Sequence, residues 1–137
     1  MYNLSVSQLL MTSITAAKPR HYETLIVWKE AHKLCMVAYS LLPNFPSEER
    51  FALCSQIRRS AYSVPMNIVE GNKKRSKKDK LHFMEHSEAS LEELDYQLYL
   101  SRDLGYIREK QFQEFRLMIG KVSYLLTQFR SGIERIS

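Results

Sequence analysis

Chemistry in this chain would have to come from a short roster of side chains. His82 and His86 stand four residues apart and Asp79 precedes His82 by three, so a helix here puts two imidazoles and a carboxylate on one face. That spacing raises a divalent metal, and helical bundles do hold paired irons when two helices give a Glu and two others give Glu-x-x-His. The chain lacks that set. Asp79-x-x-His82 is its only comparable pair, and it lies beside Lys77, Lys78 and Lys80, which would repel a buried dication. His82 and His86 therefore read as a solvent-facing pair open at most to an adventitious ion. There is also no glycine-rich phosphate loop, nucleophile elbow or clustered cysteine motif. The expectation is a non-enzymatic protein with no metal centre and no cofactor.

Charge is the stronger signal. Residues 72–80 read NKKRSKKDK, setting Lys73, Lys74, Arg75, Lys77, Lys78 and Lys80 against the single acid Asp79. Such a run is either a solvated corner between helices or a surface for a polyanion's phosphates. The net charge of +5 and pI near 9.2 permit RNA or DNA as a partner without requiring it. No base-reading helix or stacking platform accompanies the run, so phosphates rather than bases would be held. The alternative is a protein-interaction module, whose basic surface docks an acidic or nucleic-acid-bound partner. Arg58 and Arg59 join the cationic set. At least one of them is expected to be partly buried against a carboxylate, from among Glu70, Glu85, Glu88 and Glu92.

The elements that position these groups follow from composition and period. A chain of 137 residues, 45% hydrophobic and 26% charged with four glycines and four prolines, fits one domain of long helices, all-α. The first helix is expected over Tyr22–Leu42, with Leu25, Trp28, His32, Cys35, Tyr39 and Leu42 as its seam and Pro43 and Pro46 ending it. Trp28 is read as a core anchor and His32 as a partly buried, hydrogen-bonded histidine. Ser47 would cap the second helix, which runs to Gly71 as its terminator. The third spans Ser76 or Lys77 to Leu104, with Met84, Ser87, Leu91, Leu94, Leu98 and Ser101 inside. Glu85, Glu88, Glu92 and Asp95 form its acidic stripe, which either faces water or, as the favoured reading, pairs with Arg58, Arg59 or the basic residues of the fourth helix. The last spans about Arg108–Ile136 on Phe112, Phe115, Ile119, Val122, Leu126, Phe129, Ile133 and Ile136. Short loops make the four an antiparallel up-down four-helix bundle over 21–137. Residues 1–20 read as a poorly structured extension, in which Leu4, Leu9, Leu10, Met11 and Ile14 admit a short docking helix and Met11 an alternative start. Cys35 and Cys54 on apolar seams suit a reducing cytoplasm, and neither a signal peptide nor a membrane span is expected.

The second helix carries more apolar surface than a bundle position needs. Cys54, Ile57, Ala61, Val64 and Ile68 make the inward stripe, and Pro65 a kink. Tyr62, Met66 and Val69 make a second stripe, with Ser60 and Ser63 beside it small enough for another helix to approach. Gln56, Asn67 and Glu70 continue a polar structural stripe. A monomer leaves the surplus stripe partly wet, so it is expected to be an interface between copies, whose number the composition does not fix, with a dimer as the fallback.

The same residues carry a resemblance. Leu25-x-Val27-Trp28-x-x-Ala31, Gln56-Ile57-Arg58-Arg59-x-Ala61, Val64-Pro65-x-Asn67-Ile68-x-Glu70-Gly71, Ser76-x-Lys78, Phe83, Ser90-Leu91-x-Glu93-Leu94 and Leu104-Gly105-Tyr106 stand in order over Tyr22–Phe129. The chain resembles the four-helix-bundle proteins encoded in intervening sequences of bacterial 23S rRNA genes. Ser60, Tyr62 and Val69 depart mildly from that pattern. The resemblance implies a ring-like homopentamer, in which five basic corners would meet a polyanion together. It also implies similarity to the accessory protein of diversity-generating retroelements, so a reverse transcriptase or other mobile-element enzyme is the implied protein partner. No catalytic residue is implied.

Overall fold

The computed structural model describes residues 3, 5–13 (10–13 as backbone only) and 16–137. Its described elements are helices α1 (Val6–Ser13), α2 (Ile26–Leu41), α3 (Leu53–Lys73), α4 (Lys77–Asp103) and α5 (Glu109–Glu134), with short 3-10 turns at His21–Thr24, Leu42–Asn44 and Ser47–Glu49. Contacts run α2 to α3, α3 to α4, α4 to α5 and α5 back to α2, the closed circuit of an up-down bundle. Val6 and Leu9 of α1 are exposed. Leu4 and Ile14 lie outside the described residues, as do the side chains of Leu10 and Met11.

Three of the four seams fall where the periodicity puts them. Cys54, Ile57, Ala61, Val64 and Ile68 are buried on α3, and all six expected α4 residues are buried, with Ser87 and Ser101 fully covered. On α5 the buried set is Phe112, Phe115, Ile119, Val122, Leu126 and Ile133, while Phe129 is half-buried and Ile136, past the helix end, is exposed. Ser87 donates from Oγ to the Val64 carbonyl at 2.8 Å, tying α4 to α3 beside buried Pro65. The helix continues through that proline for two more turns.

The α2 seam differs from the expected one. Val27, Ala31, Leu34, Ala38 and Leu41 face the core with Cys35 and Leu42, whereas Leu25 and Trp28 are half-buried and His32 and Tyr39 are exposed. Ala31 and Ala38 let α2 lie close to its neighbours, and the bulky aromatics turn to the flank, where an indole or phenol keeps one edge in water. Trp28 stacks on His32 at 5.1 Å between centroids, so His32 is a ring partner on the surface rather than a buried hydrogen-bonded group. Thiols Cys35 and Cys54 are free, and burial pushes both above the ordinary thiol range, with Arg58 opposing the shift at Cys54.

Two glycines fix the ends of α4. Gly71 is buried inside the last turn of α3, and a Cβ there would come within 2.5 Å of the Met84 side chain and 2.9 Å of Phe83. It is a point of close approach rather than a terminator, and α3 runs on to Lys73. Gly105 takes φ +80°, with Tyr106 N–H donating to Ser101 O and Gly105 N–H to Arg102 O, which closes the carbonyl end of α4. Ser47 opens only a 3-10 turn, and α3 begins later, at Leu53.

Candidate nucleic-acid interface

The loop between α3 and α4 gathers the cations at one end of the bundle. Ser76 starts α4 by accepting Asp79 N–H on its Oγ at 3.1 Å, and with Gly71 this fixes a tight corner. The end of α5 and the segment before α2 meet the corner through Lys77 Nζ donating to Ile136 O at 3.1 Å and Asn72 Nδ2 donating to His21 Nδ1 at 3.1 Å. Lys80 Nζ donates to Asn72 O at 3.1 Å, so Lys77 and Lys80 each serve a carbonyl near a helix C-terminus. Lys74 Nζ lies 5.1 Å from the centre of the Phe83 ring.

Lys73, Lys74, Arg75, Lys77 and Lys78 are exposed and Lys80 is half-buried. Among the described residues none of these six cations forms an ion pair with a carboxylate, Asp79 included. The corner therefore presents concentrated positive charge to water.

Arg58 and Arg59 depart from expectation. Arg58 is half-buried, but its Nη2 donates to the Arg50 carbonyl at 3.0 Å rather than to a carboxylate. Arg59 is exposed, and neither arginine joins an ion pair among the described residues. The expected carboxylates are otherwise occupied or face water: Glu85 and Glu88 pair with Arg130 at 3.5 and 3.2 Å, and Glu70 and Glu92 are exposed. Asp95, the last of the acidic stripe, pairs with Arg116 at 3.0 Å. The Asp95 hydrogen bond holds the Arg116 guanidinium above its usual range. Arg58 lies far down α3 from Lys73, toward the opposite end of the bundle, where the Tyr106 hydroxyl donates to Glu49 at 2.9 Å. That bond to Glu49 raises the phenol above its usual range.

Beside α3 runs a polar groove of about 370 Å³ lined by Gln56, Arg59, Ser60, Ser63, Asn67, His86, Ser90 and Glu93. Ser60 is buried and its hydroxyl donates to Glu93 at 3.4 Å, so the helix its small side chain admits is α4 of the same chain. Ser63 donates to the Arg59 carbonyl and Asn67 to the Ser63 carbonyl, both within α3. Gln56 and Glu70 are exposed. Tyr62 and Met66 remain 40% and 47% exposed, with Val69 half-buried, on the side of α3 that flanks Tyr39 of α2. Sequence reasoning missed this α2 contribution because it had assigned Tyr39 to the core.

Among the described residues no group of three or more His, Cys, Asp and Glu is arranged to hold a metal, and no helix is long and apolar enough to cross a membrane. Fold and site thus define a helical bundle with an uncompensated cationic corner. The chain belongs to the 23S rRNA-intervening sequence protein family, which matches residues 23–128. It is similar to a solved structure from Bacteroides thetaiotaomicron VPI-5482, a protein of unknown function from the S23 ribosomal protein family, with a TM-score of 0.69 and 22% identity over 77% of this chain and 98% of that one. That likeness speaks to the fold alone. No curated protein matches the chain.

Proposed function

We propose that the protein is a non-enzymatic, homo-oligomeric scaffold that holds RNA or DNA by its phosphates at the α3–α4 corner. The observation that carries this reading is the absence of any carboxylate partner for Lys73, Lys74, Arg75, Lys77, Lys78 and Lys80 among the described residues. Unpaired surface cations gain by displacing the counterions of a polyanion, and a flexible lysine makes that contact without reading sequence. Arg59, on the other end of α3, contributes only if the polyanion runs along the helix.

Tyr62, Met66 and Val69, with Tyr39 beside them, support self-association, because a contiguous apolar strip is what a second copy covers. Assembly multiplies corners on one particle and so strengthens the first reading. The same strip supports the alternative of a docked protein partner, a nucleic-acid-processing enzyme being the kind the family resemblance suggests.

Titration of a structured RNA at low salt tests the binding, with retention on a filter expected in the micromolar range or tighter; no retention even at low salt refutes it. Light scattering of the wild type and Met66→Glu tests the assembly, which is expected to fall to monomer in the variant. A pull-down from nuclease-treated lysate separates the alternative, since a partner kept without nucleic acid binds the protein surface itself.

A further inference from the structure

We propose that His82 and His86 form a two-imidazole chelate for a borderline first-row dication such as Ni(II), Cu(II) or Zn(II) on the outer face of α4. The inference stands apart from the polyanion reading. Four residues of helix bring the two rings onto successive turns, and their Nε2 atoms share a hydrogen bond at 3.1 Å, one ring's N–H donating to the other's nitrogen, with the rings almost perpendicular, 86° between planes. Imidazole nitrogens bind such ions at about 2.0–2.1 Å, so two nitrogens 3.1 Å apart subtend roughly 95–100° at a shared ion. That angle lies between the right angle of square or octahedral coordination and the wider tetrahedral one. An ion held at that spacing would take the place of the proton the two nitrogens share.

Neighbouring residues hold the rings there. Phe83 contacts His82 and His86 edge-on or tilted, at 5.6 and 6.4 Å between centroids, and is itself half-buried where α4 crosses Gly71. A half-buried side chain packed beside both imidazoles narrows the rotamers open to them. Both rings are exposed, so an ion reaches them without opening the fold, and solvent or a phosphate oxygen would complete its shell. Asp79, a turn earlier on the same face, offsets part of the repulsion from Lys78. Imidazole rather than carboxylate donors select these ions over Mg²⁺ and Ca²⁺.

Calorimetric titration of the untagged full chain with NiCl₂, with amide NMR shifts as a second readout, tests the site. One ion per chain is expected, with shifts centred on residues 82–86. His82→Ala and His86→Ala should each weaken binding by about 10–100-fold, the range that losing even a supporting residue costs a metal site. His32→Ala, on another helix and stacked on Trp28, should bind as the wild type does. Wild-type affinity in either His82→Ala or His86→Ala overturns the proposal, as does the absence of heat and shifts at millimolar Ni(II).

Discussion

The α3–α4 corner and the α4–α5 seam share helix α4 and both are dense in charge, but among the described residues only the seam has its cations paired with carboxylates. Along the seam Glu85, Glu88 and Asp95 of α4 meet Arg130 and Arg116 of α5, and Arg102 lies over the Tyr99 and Phe112 rings while pairing with Asp103 and Glu109. At the corner the cations find backbone carbonyls, an aromatic face or water. Charge of the first kind helps hold two helices in register. Charge of the second kind adds self-repulsion to the folded state and is available to something outside it.

The largest expected effect breaks the corner alone. Replacing Lys73, Lys74, Arg75 and Lys78 together by Ala should lower affinity for structured RNA on the order of 100-fold at moderate salt, because each lost phosphate contact also loses its released counterions. Fluorescence anisotropy reads the affinity, and the melting temperature should stay at or above wild type. Next is Gly71→Val, which drives a branched side chain into Met84 and Phe83. Overpacking of this kind costs roughly 1–3 kcal/mol, so the urea midpoint should fall and the corner should be displaced with it. An unchanged midpoint would mean that the corner is not built on close packing of α3 against α4.

Smaller effects belong to the seam. Arg130→Ala removes the partner of Glu85, Glu88 and Glu134 at a half-exposed position, for which about 0–1 kcal/mol is expected by chemical denaturation, with RNA affinity unchanged or weakened only slightly. Smallest is an acid effect at Glu30. Burial alone would raise its carboxyl, but Lys33 and Lys121 together hold it below the usual range. A carboxyl depressed in the folded state stabilises above the ordinary carboxylate range and loses that contribution as pH falls through its folded value. Glu30→Gln should therefore lower the melting temperature slightly near neutrality, with the difference from wild type vanishing as the pH falls, so that the acid limb of the profile is flatter.

How much of this was legible in the sequence differs from helix to helix. On α4 and α5 the 3-and-4 spacing of one apolar stripe runs unbroken, so a period of about 3.6 picks out the buried set almost residue for residue even though Tyr96, Leu117 and Tyr124 stand exposed elsewhere on the two helices. On α2 apolar residues occupy most of the circumference, so a heptad through Trp28, Cys35 and Tyr39 reads as well as the one through Ala31 and Ala38 that faces the core. Close packing reversed the choice, since two alanines permit a helix approach that two aromatics block. The corner was legible as composition, because NKKRSKKDK follows Gly71 directly. What its cations touch was not, because backbone carbonyls carry no sequence signal, and the Arg58 bond to Arg50 O was hidden for the same reason. His82 and His86 showed their spacing, but the 3.1 Å separation of their nitrogens depends on rotamers that Phe83 restricts.

The central claim, that charge left unpaired at the corner is charge meant for phosphates, is tested most directly by the salt dependence of RNA binding. Log affinity should fall steeply and linearly with log salt for the wild type, and the slope should be shallower by about 3–4 for the variant lacking Lys73, Lys74, Arg75 and Lys78. Equal slopes for the two proteins would contradict it, since the phosphates would then be held elsewhere on the bundle.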